Sequence, residues 1–526
     1  MNRREFLKFF GLLGILGSAG CLEFLREEKE YLELKVDASK TLGKVDSSLW
    51  ANIGYDPIYS GTVGEGFRDA WKIIGESKAL RYVRCHNMFS DKHPEHEEEK
   101  TYGCRVYSED ENGKPVYNWK YLDEVLNTFV SAGVKPILEC DFMPDALAEG
   151  KIVRNYSGGA INTPKDYVKW RNLVFETLRH CEDRYGTEEV RTWYFEIWNE
   201  PDLKTYFIDA PNWRRFLRMY DYFVDGAISA DPHVKVGGPG IAGHEDFLKA
   251  FLDHCVNGIN SVTGERGTRI DFVSWHGYGS IADMLEKDRR AIEIAKGFGL
   301  EIELSQNEWG QSLRKDRNPK RQKSFFTEYE ACFLTKMIAG VYERIPELSK
   351  FLRWGKVTSV GGKGWRTLST NLKGEIVKFP IFLCYEMLSK LSEERIEFSG
   401  TTFDEDVFGI ATKNKNSLKV LVYNFEEENY EGFGDATQIN LRISNTFFEK
   451  AILKHYRIDK NHSNPYRHWL ELSSPRDMTS EEIEILKEKG NLEVIESREV
   501  EVENKEILLS FELPKNAVSL LSLEVV

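Results

Sequence analysis

From about Ser47 to Ser392 the chain alternates short apolar runs with longer segments in which apolar residues recur at helical spacing. This alternation is typical of a parallel sheet whose strands are connected by helices. Eight runs predict strands: LWANIG from Leu49, LRYVRCH from Leu80, PILECD from Pro136, TWYFEIWN from Thr192, VKVGGPG from Val234, FVSWHGY from Phe272, EIELSQNEW from Glu301 and FLRWGKVT from Phe351. Segments such as YLDEVLNTFVSAG and FTEYEACFLTKMIAGVYE predict the helices between them. Eight strand–helix units indicate an α/β fold, a (β/α)8 TIM barrel with enlarged loops.

After Ser392 the pattern changes to short alternating strands separated by turn residues, as in VFGIATKNKNSLKVLVYNF and KEILLSFELPKNAVSLLSLEVV. This predicts an accessory antiparallel β-sandwich. The early segment YLELKVDASKTLG also predicts a strand, which crosses over to complete that sandwich. The expected domains are therefore residues 30–44 as a sandwich strand, 45–392 as the barrel and 393–526 as the rest of the sandwich.

Residues 1–29 have the character of a targeting segment and are excluded from the fold. Arg3 and Arg4 precede a short apolar run that ends in small residues, which is typical of a twin-arginine export signal. The run is too short to cross a bilayer as a helix. The sequence SAGC resembles a lipoprotein cleavage box, so we expect export and lipidation of Cys21, with plain secretion as the alternative. That lipid would be the only contact with a membrane.

The overall charge argues against a polyanionic partner. The 71 Lys and Arg residues are outnumbered by 85 Asp and Glu residues, and the net charge is −14. Nucleic acid would be repelled, whereas a neutral ligand would not be. The basic stretch RKDRNPKRQK, residues 314–323, is interpreted as a solvated loop.

The cysteines and histidines do not predict a metal site. Beyond Cys21, seven scattered cysteines lack CxxC or Cys/His ligand spacing, so we expect most of them to be buried free thiols. His93 and His96 lie in the acidic run HPEHEEEK, for which a solvated loop is the interpretation. No cofactor and no metal are expected.

Two carboxylates stand at the ends of predicted barrel strands. Glu200 follows the apolar run WYFEIW at the end of the fourth strand, and Glu308 in SQNEWG ends the seventh. Burial of a carboxylate beside such a run is costly, although a solvated turn would also explain Glu200. In an eight-stranded barrel these strand ends lie on opposite sides of one mouth, so the two groups can reach the same cleft. A general acid and a nucleophile for glycoside cleavage need that arrangement.

Other strand ends carry the polar and aromatic groups that a sugar site requires. These candidates are Arg84, His86, Asn87, Glu139, Asp141, His276, Tyr278, Trp309 and Trp354. Singly, His86 could be a satisfied core histidine and Trp354 a packing residue.

The motifs FEIWNEPDL, SWHGYG and QNEWG resemble those of the barrel glycosidases of clan A. LRYVRCHNMFSD, LECDFMPDAL and YRIDKNHSNPYRHWLELSSP more specifically resemble glycoside hydrolase family 39, which includes β-xylosidases and α-L-iduronidases. The resemblance implies a retaining hydrolase of oligo- or polysaccharides, with Glu200 as acid/base and Glu308 as nucleophile. It also implies that Asn199 binds the sugar 2-hydroxyl. Asn87 and Asn307 depart from the family pattern, which has Gly and Thr there.

The substrate is less well specified by the sequence. The segment WRTLSTNLKGEIVKFP is more similar to the xylosidase branch, which makes β-xylosidase activity the first expectation. An iduronidase-like enzyme needs a cation for the uronate, which Lys363 or Arg366 could supply. An endo-acting polysaccharide hydrolase is a third hypothesis. A surface protein that binds glycans without cleaving them is a hypothesis of another class.

Overall fold

The structure is a computed structural model that describes residues 30–56, 58–64, 66–91, 103–312, 319–360 and 367–526. The predictions for residues 1–29, including Cys21, and those for His93, His96, Lys363 and Arg366 lie outside the described residues. No helix in the described ranges is long and apolar enough to cross a membrane.

Strands alternate with helices up to residue 388, and most of the elements after it are strands. The strands are β1 (Tyr31–Lys44), β2 (Asn52–Tyr55), β3 (Tyr82–Cys85), β4 (Tyr107–Glu109), β5 (Pro115–Tyr117), β6 (Lys135–Glu139), β7 (Tyr194–Glu196), β8 (Lys235–Ile241), β9 (Phe272–Tyr278), β10 (Glu303–Gly310), β11 (Lys350–Trp354), β12 (Ser359–Val360), β13 (Ser369–Leu372), β14 (Glu375–Lys378), β15 (Glu394–Ser399), β16 (Val407–Asn414), β17 (Ser417–Asn424), β18 (Thr437–Ser444), β19 (Lys450–Ile458), β20 (Glu493–Glu501), β21 (Ile507–Leu513) and β22 (Ala517–Val525). The α-helices are α1 (Ser60–Val63), α2 (Phe67–Ser77), α3 (Lys120–Ser131), α4 (Tyr167–Tyr185), α5 (Thr187–Val190), α6 (Arg214–Ala230), α7 (Glu245–Asn257), α8 (Ile281–Gly297), α9 (Pro319–Ser324), α10 (Glu328–Arg344), α11 (Pro380–Leu388), α12 (Pro465–Glu471) and α13 (Ser480–Lys489).

Eight parallel strands close into a barrel in the order β10-β11-β2-β3-β6-β7-β8-β9. Each of the eight apolar runs overlaps one of these strands, so the predicted barrel is confirmed. Six of the eight strands are shorter than their runs, whereas β8 and β9 are as long as theirs. The fourth ends at Glu196 because the chain turns sharply beyond it, with positive φ angles of 65° at Trp198 and 43° at Glu200. Non-glycine residues adopt this conformation at a cost, which marks the turn as a place of interest.

A small apolar layer fills the barrel interior. It consists of Ile137, Tyr194, Phe272 and Leu352, with Tyr82 packed against them. The ring centroids of Tyr194 lie 5.2 Å from Phe272 and 5.4 Å from Tyr82, in edge-on contact. Because this layer closes the interior, a ligand can enter only from the rim.

The second domain is one nine-stranded sheet, in the order β20-β19-β22-β17-β16-β15-β1-β18-β21. The first strand, β1, pairs antiparallel with β15 and parallel with β18, and the other pairs are antiparallel. His455 on β19 and Phe511 on β21 lie with ring centroids 5.2 Å apart although six strands separate β19 from β21 in the sheet. The sheet therefore folds over on itself, which gives a sandwich-like core.

Two helices interrupt this sheet between β19 and β20, where the sequence pattern had predicted strands alone. The second, α13, begins with a capping box in which Thr479 and Glu482 satisfy each other's backbone amides. The first, α12, is capped by Asn464, whose side chain accepts a hydrogen bond from the backbone amide of Arg467. Both belong to an insertion that reaches the barrel.

A buried ion pair fastens this insertion to the barrel. Glu328, the first residue of α10, is 1% exposed and accepts hydrogen bonds from Arg467 Nη2 and Nε at 2.5 and 3.0 Å. Asn464 Nδ2 donates a third bond to the same carboxylate at 2.8 Å. Tyr466 packs on Phe326 beside it. The segment YRIDKNHSNPYRHW thus links the second domain to the barrel.

Loss of the ion pair between Arg467 and Glu328 should destabilise the protein. In Arg467→Leu the Glu328 carboxylate stays buried without its cation, so we expect a loss of about 3 kcal/mol in the free energy of unfolding. Urea titration followed by circular dichroism measures it. The exposed Arg476 on the same insertion offers a matched control, Arg476→Leu, which should unfold like the wild type. Wild-type stability of Arg467→Leu would show that the ion pair contributes nothing to the stability of the fold.

The seven cysteines of the described ranges confirm the expectation of free thiols. They are Cys85, Cys104, Cys140, Cys181, Cys255, Cys332 and Cys384, all of them buried and none in a disulfide.

Candidate active site

Glu200 and Glu308 lie at the same mouth of the barrel. Glu308 is inside β10, and Glu200 follows the end of β7. One oxygen of each carboxylate lies within 4.8 Å of one oxygen of the other. The Glu308 side chain is 7% exposed and that of Glu200 is 13% exposed, so both groups are accessible but only narrowly. The two acids therefore share one small gap.

The Glu308 carboxylate is surrounded by groups that favour its charge. Tyr278 Oη donates a hydrogen bond to Oε1 at 2.5 Å. The Oε2 atom lies 3.3 Å from Arg84 Nη1, 3.5 Å from His86 Nε2 and 3.6 Å from His276 Nδ1. Burial by itself would raise the pKa of Glu308, but the two histidines and Arg84 outweigh it and lower the pKa to about 2. Glu308 is therefore ionised at neutral pH.

Arg84 is the centre of a buried carboxylate network below Glu308. Its Nη2 donates to Glu139 and its Nε to Glu196, both at 2.6 Å, and Asn199 Oδ1 accepts from Nη2 at 3.2 Å. Burial favours the neutral form of the arginine, but the neighbouring carboxylates raise the pKa of Arg84 above its ordinary value. Arg84 is thus a fixed cation that holds three acidic side chains in place.

Glu196 completes the network from inside β7. Its Oε1 accepts hydrogen bonds from Ser274 Oγ at 2.5 Å and Asn307 Nδ2 at 2.6 Å. All three side chains are buried. Because Asn307 precedes Glu308 directly, this contact ties β10 to β7. Only β8 and β9 separate these two strands in the barrel, so they do not lie on opposite sides as expected from the sequence.

Glu200 is positioned by its backbone and by one histidine. Its amide donates to the Gly240 carbonyl at 2.9 Å, and His276 Nδ1 lies 2.9 Å from its Oε1. His276 also approaches Glu308, so it lies between the two acids. Gly240, with a φ of 61°, passes close to Arg84 and His276, where a Cβ would lie 3.0 Å from Arg84 Nη2.

The wall beside Glu308 is formed by His86 and Trp354. Their ring centroids are 4.5 Å apart, and Trp354 is 8% exposed. Gly54 leaves space for the indole, since a Cβ there would lie 2.7 Å from the Trp354 ring. Burial lowers the pKa of His86, but the adjacent Glu139 raises it well above the ordinary value. A flat, partly charged wall of this kind suits the face and hydroxyls of a sugar.

Asp56 is a further acidic residue, on the rim beyond His86. Asp56 accepts a hydrogen bond from Asn87 Nδ2 at 2.7 Å, and the same amide group donates to Ser157 Oγ at 3.1 Å. Burial raises the pKa of Asp56 to about 6.

Two triads bring three donor atoms within 4.8 Å, namely Glu200, His276 and Glu308, and His86, Glu139 and Asp141. In both, Arg84 already contacts one carboxylate, at Glu308 and at Glu139. A fixed guanidinium in this position disfavours a metal cation. The geometry instead suits a charged nucleophile and a partner acid.

Comparison with known proteins decides the family. The sequence profile of Glycosyl hydrolases family 39 matches residues 32–325, more than half of the 526 residues. The chain belongs to this family. It is therefore a glycosidase that acts on carbohydrate, as the resemblance implied.

The relatives match this chain over different lengths. A β-xylosidase of Geobacillus stearothermophilus is 29% identical over 488 residues, which cover 87% of this chain and 89% of the relative. An α-L-iduronidase of Mus musculus is 31% identical over 184 residues, 34% of this chain and 27% of the relative. The crystal structure of a monomeric β-xylosidase from Caulobacter crescentus CB15 superposes with a TM-score of 0.76 at 21% identity, covering 94% of this chain and 99% of that one. That last likeness supports the fold.

The family 39 site contains most of the residues proposed from the sequence. The structure brings together Arg84, His86, Glu139, Asn199, Glu200, His276, Tyr278, Glu308 and Trp354. Asn87 and Asp141 lie next to these residues. The backbone amide of Asn87 donates a hydrogen bond to Asp141 Oδ1 at 2.7 Å.

Trp309 is the exception, and its assignment to the cleft is wrong. It is buried with its ring stacked on Phe333 of α10, at a centroid distance of 6.1 Å, and in contact with Phe351. Beyond the irregularity of β10 between Gln306 and Glu308, successive side chains of the strand point to opposite sides. Because Glu308 points into the barrel mouth, Trp309 points outward to the helices.

Sequence reasoning missed Glu196, Ser274 and Asp56 as site residues. Glu196 could have been found, because it lies two residues after Tyr194, which faces the barrel interior. Asp56 follows the first strand directly and could also have been recognised as a strand-end residue.

The low pKa of Glu308 predicts activity far into the acid range. The nucleophile must be ionised, so kcat/KM for an aryl glycoside should decline only as Glu308 protonates, near pH 2 rather than near the ordinary 4.5. Tyr278→Phe removes a hydrogen bond that favours the carboxylate and should move the acid limb up by about one pH unit. Initial rates at graded pH measure the acid limbs of the wild type and of Tyr278→Phe, with folding monitored by circular dichroism. An acid limb of the wild type at pH 4.5 or above would contradict the prediction.

Proposed function

We propose that this protein is a retaining glycosidase of the β-xylosidase type. The observation that carries the proposal is the pair of carboxylates with oxygens within 4.8 Å, one of them held ionised. Retaining glycosidases have carboxyl groups about 5–5.5 Å apart, whereas inverting enzymes separate them by about 6.5–9.5 Å to admit a water. The proposal of xylose as the glycone is supported by the Geobacillus stearothermophilus β-xylosidase, which matches along most of both chains.

The mechanism has two displacements. In the first, Glu308 Oε attacks the anomeric carbon while Glu200 donates its proton to the glycosidic oxygen, and the bond to the leaving group breaks. In the second, Glu200 takes a proton from water, whose oxygen displaces Glu308 from the anomeric carbon. The sugar leaves with its original anomeric configuration and both acids return to their starting states.

The surrounding residues support these steps. Tyr278 and Arg84 stabilise the charge on Glu308 before attack and release it as the ester forms. His276 lies between the two acids and stays in contact with Glu200 while the charge on that carboxyl group changes. Asn199, held at its Oδ1 by Arg84, keeps its amide nitrogen for the sugar 2-hydroxyl. His86 and Trp354 bind the sugar face.

A uronide substrate is the second candidate, favoured by the similarity to the mouse α-L-iduronidase. The described rim, however, presents Asp56 beside Asn87, and an acid there opposes a uronate carboxylate. An endo-acting hydrolase would cleave only longer glycans, and a glycan-binding protein would show no turnover at all.

A panel of aryl glycosides tests the proposal. Aryl β-xyloside should be hydrolysed far faster than aryl α-L-iduronide, and proton NMR during the first minutes should show the β-anomer of xylose before it mutarotates. Release of the α-anomer would exclude retention. Turnover of uronide alone would move the enzyme to the iduronidase type, and action only on polysaccharide would make it endo-acting.

We also propose that the protein is exported and anchored through a lipid on Cys21. Arg3, Arg4 and the SAGC box support this proposal. Mass spectrometry of the N-terminal peptide from membranes measures it, with Cys21→Ala expected to free the enzyme from the membrane fraction. An unprocessed N-terminus in the cytoplasm would contradict it.

A further inference from the structure

The strand β10 has one extra residue beside Glu308. In the pairing of β10 with β9, Gln306 lies opposite Trp275. The next pair joins Glu308 to His276, so two steps along β10 correspond to one step along β9. Such a bulge changes the direction of a side chain and is common next to active sites. Here it lets two successive side chains, Asn307 and Glu308, make their contacts inside the barrel.

A buried carboxyl group holds β9 and β10 together on the outer side of the barrel, directly before this bulge. Asp288, on α8, accepts hydrogen bonds at its Oδ1 from Trp275 Nε1 at 2.7 Å and from Gln306 Nε2 at 2.8 Å. All three side chains are fully buried. Trp275 is the residue before His276, and Gln306 is the last regularly paired residue before Glu308. Asp288 thus fixes both strands one step before their site residues.

The side-chain amide of Gln306 also lies against the backbone of β9. A Cβ atom at Gly277 would lie only 2.2 Å from Gln306 Nε2, so glycine is required for this close approach. Gly277 separates His276 from Tyr278, which donates the hydrogen bond to Glu308. A displacement of Gln306 would therefore disturb the stretch of β9 that carries both residues.

The place of Asp288 is costly for a carboxyl group. Its second oxygen, Oδ2, is buried and has no hydrogen-bond partner in the part of the chain that the structure describes. Burial raises the pKa of Asp288 to about 7, although the hydrogen bond from Trp275 and the charge of Lys287 oppose the shift. An apolar side chain would avoid this cost. The two hydrogen bonds that Asp288 accepts are therefore the feature that explains the carboxyl group.

We propose that Asp288 is a positioning residue for glycoside cleavage, because it holds the bulge that orients Glu308. This inference rests on the proposed function, in which Glu308 is the nucleophile. Asp288 lies behind the barrel wall and acts only through β9 and β10. Without its two hydrogen bonds β10 can adopt regular pairing, which would bring Asn307 opposite His276 and turn Glu308 toward the helices. A displacement of about 1 Å at a reacting atom can lower a rate by about 10²-fold.

The rate at which Glu308 is labelled by a mechanism-based reagent measures its orientation. A 2-deoxy-2-fluoro-β-xyloside with a dinitrophenyl leaving group needs no proton from Glu200, so labelling depends on the attack by Glu308. Asp288→Leu removes the acceptor and should slow labelling and kcat on dinitrophenyl xyloside by about 10²-fold, with KM within about threefold of the wild type. Mass spectrometry follows the labelling, and circular dichroism checks that the variant is folded.

The conservative variant Asp288→Asn should restore the rate. Its Oδ1 can accept from Trp275 and Gln306 as before, and like the protonated carboxyl group it carries no charge. We expect labelling within about twofold of the wild-type rate at about pH 5.5. Gln306→Met removes one donor and keeps the bond from Trp275 to Asp288, so it should slow labelling by roughly tenfold. This variant decides the question if Asp288→Leu does not fold.

The matched control for stability is Ile292→Ala. Ile292 is 3% exposed and lies one turn after Asp288 on α8. The substitution leaves a cavity in the same interface between helix and barrel but keeps both hydrogen bonds of Asp288. It should lower the urea midpoint of unfolding and leave the labelling rate of Glu308 unchanged.

A wild-type labelling rate in folded Asp288→Leu would overturn the inference. Equal losses of labelling in Asp288→Leu and Ile292→Ala would do the same, because they would indicate a general effect of stability. A loss in Asp288→Asn as large as that in Asp288→Leu would also contradict it, since the asparagine keeps the acceptor. Failure of the wild type to form any adduct would instead refute the proposed retaining function and, with it, the inference.

Discussion

Replacing Glu308 with alanine is expected to lower kcat on aryl β-xyloside by roughly 10⁵-fold, the scale seen when a catalytic nucleophile is deleted from other enzymes. The physical reason is that no other described carboxylate can reach the anomeric carbon from that side, since Arg84 holds both Glu139 and Glu196 below the site. Substrate binding should survive, because the wall formed by His86 and Trp354 is untouched. Initial rates and a binding titration with xylose measure the two effects separately.

Azide provides the positive test of this variant. The alanine leaves space for a small anion beside Arg84 and His86, and azide that occupies it can attack the sugar directly. The expected product is α-xylosyl azide, inverted relative to the substrate, at a rate well above the unrescued one. Glu188→Ala, which removes a glutamate side chain that is 90% exposed, is the matched control and should retain full activity. Wild-type turnover by Glu308→Ala would refute the assignment, and binding with no turnover in the wild type would favour a glycan-binding protein over an enzyme.

The barrel was predictable because its strands are continuous apolar runs and its helices keep a regular spacing. Strand lengths were not, since the end of a strand depends on neighbours in the sheet. At β7 the run WYFEIWN continues to Asn199, yet pairing stops at Glu196 because residues 198 and 200 take positive φ angles. The helices α12 and α13 were hidden among strand patterns, although Thr479 and Glu482 carried a readable helix start.

The candidate site was predictable where chemistry coincides with a strand end, as at Glu308 and His276. It was not predictable where a side chain acts through contacts from far along the chain. Glu196 reads as part of an apolar strand, and its importance comes from Arg84 and Asn307, more than 100 residues away on either side. Trp309 shows the opposite failure, because proximity in sequence to Glu308 places it on the wrong face of the strand.

Replacing Glu200 with alanine should slow cleavage by a factor that depends on the leaving group of the substrate. Without the proton donor, cleavage of xylobiose or of an alkyl xyloside should slow by about 10²–10⁴-fold, the usual contribution of general acid catalysis. A dinitrophenyl group departs as a weakly basic anion and needs no proton, so kcat/KM for dinitrophenyl xyloside should change little. The second step also loses its base, and the glycosyl-enzyme on Glu308 should accumulate and be visible by mass spectrometry.

The configuration of the azide product separates the roles of the two acids. In Glu200→Ala the sugar is first transferred to Glu308, and azide then displaces it from the other face, so the product should be β-xylosyl azide with retention. The same nucleophile added to Glu308→Ala gives the α-azide, because only one displacement occurs. Since His276 contacts both carboxylates at 2.9 and 3.6 Å, the geometry alone would allow the reverse assignment, and the low pKa of Glu308 is what distinguishes them. An α-azide from Glu200→Ala together with a β-azide from Glu308→Ala would exchange the two roles while leaving the retaining mechanism intact.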